Sequence, residues 1–212
     1  MINDILNLKR SLCNQCLRPK TVCYCHTISQ IENNWPIHIL QHPNESKHPI
    51  GTAKIAELSL NNCRTYISKN FSNNFEISRL VENTNPLLIY PGEGSIPIEE
   101  IDTLIIRPII FLDGSWRKTR RMIYETPELQ TLTKVSFTPT DPSCYRIRKE
   151  PNETAISTLE AIIAVLSKLE NEHNKYQPLL KSMEWMINKQ IEFMGKEIYK
   201  KNYSNEILRK DR

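Results

Sequence analysis

Apolar residues along this chain follow two rhythms. Short apolar runs at Pro36 to Leu40 (PIHIL) and Leu87 to Tyr90 (LLIY) have the length of buried strands, and a further strand is expected near Lys134 to Phe137. The strongest strand signal is Thr103 to Leu112 (TLIIRPIIFL), where Pro108 removes a ladder donor and predicts a break or bulge midway. Helical spacing marks Thr52 to Asn61, Ser115 to Glu125, and Ala155 to Leu169, the last opened by a capping box at Ser157 and Glu160. Pro178 opens a further helix whose stripe is Leu179, Met183, Met186, Ile187, Gln190, Ile191 and Met194. The tail from Lys196 is mixed in charge and is expected to fray. Strands alternating with helices predict an α/β fold, a mostly parallel sheet flanked by helices, with ligands at the carboxyl ends of the strands.

Three polar motifs fall at such ends. His42-Pro43-Asn44-Glu45 follows the first strand, Tyr90-Pro91-Gly92-Glu93-Gly94 the second, and Asp113-Gly114-Ser115-Trp116 the third. The chain holds only five glycines, where about 15 are usual for this length, and four of them (Gly51, Gly92, Gly94, Gly114) lie in loops beside polar motifs. So sparing a use of glycine points to backbone that needs positive φ or a close approach.

Asp113, at a strand end before a helix, can accept a proton or hold a ligand's amine, or can simply cap its own helix. Trp116 can wall a pocket, stack on a base or pack in the core. Arg117, Lys118, Arg120 and Arg121 lie in a stretch without an acid from Gly114 to Tyr124, which opens a phosphate-binding stripe. Tyr145 to Pro151 (YRIRKEP) alternates as a strand would, so Arg146 and Arg148 point the same way if extended, suiting a carboxylate or phosphate. Ser157 and Thr158 open a helix, a place for an anion or for plain capping.

The cysteines change the picture most. Cys13, Cys16, Cys23 and Cys25 read C-x2-C-x6-C-x-C, and four thiolates suit a tetrahedral zinc ion. Disulfides, a redox C-x-x-C pair and an iron–sulfur centre use the same residues. A cytoplasmic setting argues against the first, and the lack of a flanking βαβ pattern against the second. Lys9, Arg10, Arg18 and Lys20 make the surroundings basic. Cys63 and Cys144 stand alone and read as small buried hydrophobes.

Length and charge add less. A chain of 212 residues, 39% hydrophobic and 25% charged, suits one core with a small appendage. The expected division is a zinc-binding module over residues 1–34, a catalytic domain over 35–195 and a tail over 196–212. No apolar run approaches the ~18 residues needed to cross a bilayer. The N-terminus lacks the pattern of a secretory signal, so the expected location is the cytoplasm. A net charge of +4 permits nucleic-acid binding without announcing it.

From Cys13 to about Gln190 the chain resembles the DTW-domain proteins, tRNA-uridine aminocarboxypropyltransferases related to the SPOUT methyltransferases. The resemblance rests on C-x2-C-x-R-P-x3-C-x-C, H-P-x-E at His42, Y-P-G-E-G at Tyr90, L-D-G-S-W at Leu112, Y-R-I-R-K-E-P at Tyr145 and S-T-L-E-A at Ser157, in order. Ser115 stands where the name-giving motif more often has threonine, and both supply a hydroxyl.

The resemblance implies a knotted SPOUT-like fold and tRNA and S-adenosylmethionine as substrates. The donor's 3-amino-3-carboxypropyl group passes to N3 of a uridine, giving acp3U and 5′-methylthioadenosine. Asp113 is then the candidate catalytic residue. Pro91, Gly92, Glu93, Gly94, Ser115, Trp116, Ser157 and Thr158 form the candidate cofactor site, and Arg117, Lys118, Arg120, Arg121, Arg146 and Arg148 are candidate RNA contacts. A methyltransferase of the same superfamily would release S-adenosylhomocysteine instead. A noncatalytic zinc-knuckle RNA adaptor would account for the cysteines and arginines but not for Asp113 with glycine-rich loops at strand ends. The sequence does not set the oligomeric state.

Overall fold

A computed structural model of the chain describes residues 11–48, 50–139, 143–147 and 156–203. Six strands form one sheet: β1 Ile37–Gln41, β2 Cys63–Ile67, β3 Leu87–Ile89, β4 Ile96–Pro97, β5 Ile109–Asp113 and β6 Thr133–Ser136. All their pairings are parallel, in the order β2-β1-β5-β3-β6-β4. Eight helices surround the sheet: α1 Pro43–Ser46, α2 Ala53–Ser59, α3 Phe75–Thr84, α4 Trp116–Glu125, α5 Pro127–Gln130, α6 Thr158–Leu169, α7 Gln177–Met194 and α8 Lys196–Tyr203.

A parallel sheet must cover both faces, and successive side chains of a strand point to opposite ones. Ile37 and Ile39 of β1, with Ile109 and Phe111 of β5, pack against Ile55 of α2, Leu159 and Ile162 of α6 and Met183 of α7. Leu40, Leu88 and Ile110 turn the other way, onto Ile77 of α3, Met122 of α4 and Leu129 of α5. The cysteine-bearing segment joins the first of these cores through Cys16, Tyr24 and Ile31.

Several expectations need correcting. The apolar run at 103–112 is half strand: β5 begins at Ile109, just past Pro108, while Leu104, Ile105 and Ile106 are exposed. Tyr145 to Ile147 is a turn, not extended backbone, although Tyr145 and Ile147 are buried and Arg146 is exposed. The tail forms α8 as far as Tyr203 instead of fraying from Lys196. Cys144 is exposed rather than buried, and Cys63 is only partly covered. Several elements gave no clear signal, among them β2, and α3, which is capped by Asn74 through Ile77 N–H and closed by Asn85 at φ 44°. Among the described residues no helix is long and apolar enough to cross a membrane.

One buried group makes stability depend on pH. His38 of β1 stacks 5.9 Å from Tyr66, and its Nδ1 has no hydrogen-bond partner among the described residues. Burial, then the Arg64 charge, pushes its pKa down to about 4, with Glu76 opposing. An unfolded histidine titrates near 6.5, so between about 6.5 and 4 the unfolded chain binds a proton that the folded one refuses. The contribution is therefore complete above the unfolded pKa and is lost as pH falls toward the folded one, by on the order of 2 kcal/mol. Urea midpoints of wild type and His38→Phe at pH 7 and 4.5 check this, and the variant should lose less.

Candidate active site and metal centre

The ends of β1 and β5 build the centre. Gln41 and Asp113 are register partners on neighbouring parallel strands, so their side chains leave the same face. Gln41 Nε2 donates to Asp113 Oδ2 at 2.6 Å, and Thr158 Oγ1 donates to Asp113 Oδ1 at 2.6 Å. The carboxylate thus ties two central strands to the first turn of α6. Asp113 does not cap α4: the N-cap is Ser115, and its side chain makes no capping bond.

Gly114 is needed for closeness. A Cβ there would lie 3.3 Å from Lys118 Cβ and 3.4 Å from Thr119 Cγ2, with His42 Cβ at 3.6 Å. His42 N–H donates to the Asp113 carbonyl at 2.9 Å, locking the β1 and β5 loops together. Lys118 crosses from α4 to Glu45 at 2.6 Å, fixing α1 beside them.

The other expected cofactor residues divide. Pro91, Gly92, Glu93 and Gly94 form an exposed loop, with Gly94 at φ 74°, a conformation that favours glycine. Trp116 is half-exposed rather than core, and its ring lies 5.7 Å edge-on from Tyr90, joining the β3 loop to the start of α4. The buried Ser157 hydroxyl accepts from Glu160 N–H in a complete capping box. The Glu160 carboxylate accepts from Ser157 N–H at 2.7 Å, Cys144 N–H at 2.7 Å and the Ser143 hydroxyl at 3.0 Å. It thereby anchors the loop before α6. A cavity of about 340 Å³ opens there, lined by Phe137, Pro139, Ile156 and Glu160.

The basic residues of α4 do not share one face. At about 100° per residue, the side opposite the buried Thr119 and Met122 carries Arg117, Arg120, Arg121 and Tyr124. Lys118 is turned to Glu45, and Arg121 pairs with Glu125 at 2.5 Å. Tyr124, 80% exposed, is an aromatic among cations that the sequence reading did not name, although it follows Arg120 by four positions and Arg117 by seven. Arg146 is apart from this face, donating to Asn188 Oδ1 at 2.5 Å, and Arg148 lies outside the described residues.

The four cysteines converge as their spacing predicts. Their sulfurs all lie within 4.8 Å of one another, with Cys13–Cys25 at 3.6 Å and Cys16–Cys23 at 3.7 Å. Sulfurs 2.3 Å from a tetrahedral ion would stand about 3.8 Å apart, so the cluster fits one. These thiols are free, since a disulfide would bring the sulfurs to about 2.05 Å.

The knuckle turns through Leu17 at φ 59°, with Leu17 N–H donating to the Cys13 carbonyl and Cys13 N–H to the Arg18 carbonyl. Backbone N–H groups of Cys16 and Gln15 pull the Cys13 thiol down to about 6, while burial pushes Cys16 and Cys25 up. Four thiolates this close repel one another, and a bound cation removes that opposition. Arg18 is not a free surface cation. It donates to the Gly51 carbonyl at 3.2 Å and lies 5.8 Å from the Tyr24 ring centroid.

The DTW domain family model matches residues 10–191. A tRNA-uridine aminocarboxypropyltransferase 2 of Drosophila melanogaster is 31% identical over 209 residues, 92% of this chain and 82% of the relative. The protein of the same name from Macaca fascicularis is 27% identical over 87% of this chain, which spans 65% of that longer relative. A tRNA-uridine aminocarboxypropyltransferase A of Arabidopsis thaliana is 23% identical over 95% of the chain and 88% of the relative. No solved structure matches. A match from residue 10 to residue 191 spans the cysteine cluster, the three strand-end loops and α6, and on it the chain belongs to the DTW-domain family.

Proposed function

We propose that this protein transfers the 3-amino-3-carboxypropyl group of S-adenosylmethionine to N3 of a uridine in tRNA; its relatives are named as tRNA-uridine aminocarboxypropyltransferases. The observation that carries the reading is the Asp113 carboxylate, held by Gln41 and Thr158 where the central strands meet the start of α6. In the reaction the N3 electron pair forms a bond to Cγ of the methionine moiety and the Cγ–S bond breaks. Its electrons return to the sulfonium, leaving neutral 5′-methylthioadenosine, and the N3 proton departs.

The sulfonium carries three electrophilic carbons, so position decides which one reacts. Asp113 serves by accepting the N3–H or by holding the donor's ammonium, and Trp116 with Tyr90 supplies the apolar wall that shelters the methyl. The donor is held by Ser115, Trp116, Ser157, Thr158 and the Pro91–Gly94 loop. The tRNA lies along α4 on Arg117, Arg120 and Arg121, with Lys118 acting through Glu45, and Arg146 and Arg148 are further RNA contacts.

Cys13, Cys16, Cys23 and Cys25 would hold a structural zinc ion, whose chemistry there is to fix the knuckle. Residues 1–34 form this module, 35–195 the catalytic domain and 196–212 the tail. The domain is read as SPOUT-like and knotted. The parallel sheet supports this. A tRNA substrate favours the cytoplasm.

Two experiments test the reading. Incubation with unmodified tRNA and S-adenosylmethionine should release methylthioadenosine one-for-one with acp3U, and release of S-adenosylhomocysteine would overturn it. Changing Arg117 and Arg120 to alanine should weaken tRNA binding and reduce the slope of log K against log salt by about 1 per arginine. An unchanged slope would remove α4 from the RNA interface.

A further inference from the structure

One cavity borders the Asp113 network, and a second lies beside α6. The smaller, beside α6, is lined by Ile156 and Glu160. The larger is a groove of about 890 Å³ between the cysteine knuckle, the free edge of the sheet at β2, and the last turns of α7. Gln41, whose amide holds Asp113, lines it. Three large apolar side chains from three separate elements also line it while remaining open to solvent: Leu17 of the knuckle at 65%, Ile67 of β2 at 56% and Phe193 of α7 at 60%.

The charges in the groove favour an anion. Its two carboxylates are occupied, Glu45 by Lys118 at 2.6 Å and Glu57 by Lys54 at 2.8 Å. Lys47 remains as positive charge with no carboxylate partner among the described residues. Exposed aromatic and aliphatic surface beside surplus cations is how proteins hold unpaired nucleotides, stacking the base and neutralising the phosphate.

We infer that this groove takes the unpaired tRNA nucleotides around the target uridine, with Phe193 as the base-stacking platform and the knuckle as one wall. The inference rests on the proposed transfer, because a reaction of two substrates needs two sites meeting at one centre. The open groove reaches that centre through Gln41. Under this assignment the cysteine cluster shapes the RNA site directly, and α4 holds the flanking phosphates.

The test is equilibrium binding of unmodified tRNA to the full chain, which needs no turnover. Phe193→Ala should weaken binding by about 5- to 150-fold, the range of one lost base stack. Phe193→Trp should restore it, and S-adenosylmethionine affinity and metal content should not change. A tRNA carrying 4-thiouridine beside the target position should photocrosslink to the wall formed by Leu17, Ile67 and Phe193.

Unchanged tRNA affinity in Phe193→Ala, or a crosslink confined to other elements, would overturn the assignment. So would loss of S-adenosylmethionine binding, which would make the groove the donor's. Dissociation of an oligomer with tRNA affinity intact would make it an interface between copies. Phe193-dependent tRNA binding without aminocarboxypropyl transfer would defeat the proposed reaction while leaving the groove, and the converse result would do the reverse.

Discussion

Asp113→Asn is expected to slow aminocarboxypropyl transfer by about 10²- to 10⁴-fold, the usual range for losing a positioned proton-handling group. It should leave tRNA affinity unchanged. The substitution keeps the shape of the side chain. Its remaining carbonyl oxygen can accept from Gln41 Nε2, and the Thr158 hydroxyl can rotate to accept from the new amide. The strand ends therefore stay joined to α6 and the fold is preserved. What is lost is the negative charge at the junction, which either proposed role of Asp113 requires.

Gln41→Ala separates placement from charge. It retains the carboxylate but removes the Gln41 hydrogen bond to it, and should lower kcat less than Asp113→Asn does. Single-turnover rates with saturating tRNA measure both. If Asp113→Asn transfers at the wild-type rate, Asp113 is only a strut between β5 and α6.

Stripping the metal, or replacing Cys16 by serine, should have the largest effect on stability. Structural zinc in small cysteine sites contributes an apparent 10–16 kcal/mol of binding energy that doubles as folding energy. Here the knuckle is not an isolated lobe. Cys16 and Tyr24 lie in the same core as Ile55 of α2 and Met183 of α7, Arg18 reaches the Gly51 carbonyl, and Ser182 donates to the Thr27 carbonyl at 2.8 Å. Loss of the ion therefore propagates into the helices that cover one face of the sheet.

Thermal unfolding with and without a chelator should show a fall of about 10 °C or more, at about 2–4 °C per kcal/mol for a protein of this size. Metal analysis should return one zinc per chain. A stripped protein with the same unfolding temperature, or a mass showing two disulfides, would contradict the structural-zinc assignment.

What the sequence makes legible follows from where patterning is strong. The cysteine cluster and the α6 capping box depend on spacing within one segment, and both form as read. The three strand-end motifs are legible because buried parallel strands are continuous apolar runs that stop where polar residues begin. The strands carrying them, β1, β5 and β3, are adjacent in the sheet.

Partnership across the sheet is less visible. Gln41 looks like the residue that ends a strand, and only the register with β5 shows that it faces Asp113. Thr158 is more than 40 positions from Asp113, and nothing local links the two. Composition also misleads at Leu104 to Ile106, where three apolar residues ahead of Pro108 remain outside. In α4, counting cations selected Lys118, which the helix turns aside to Glu45, and passed over Tyr124. Helical geometry, rather than residue type, decides which side chains share the outward face.

The most direct test of the central claim is to offer tRNA two preparations of S-adenosylmethionine, one labelled in the carboxyl carbon and one in the methyl group. The label in the tRNA is then followed to its nucleoside. If the account is right, the carboxyl label enters a uridine as acp3U and the methyl label leaves with methylthioadenosine. Transfer of the methyl label to tRNA, with the carboxyl label left in S-adenosylhomocysteine, would contradict it.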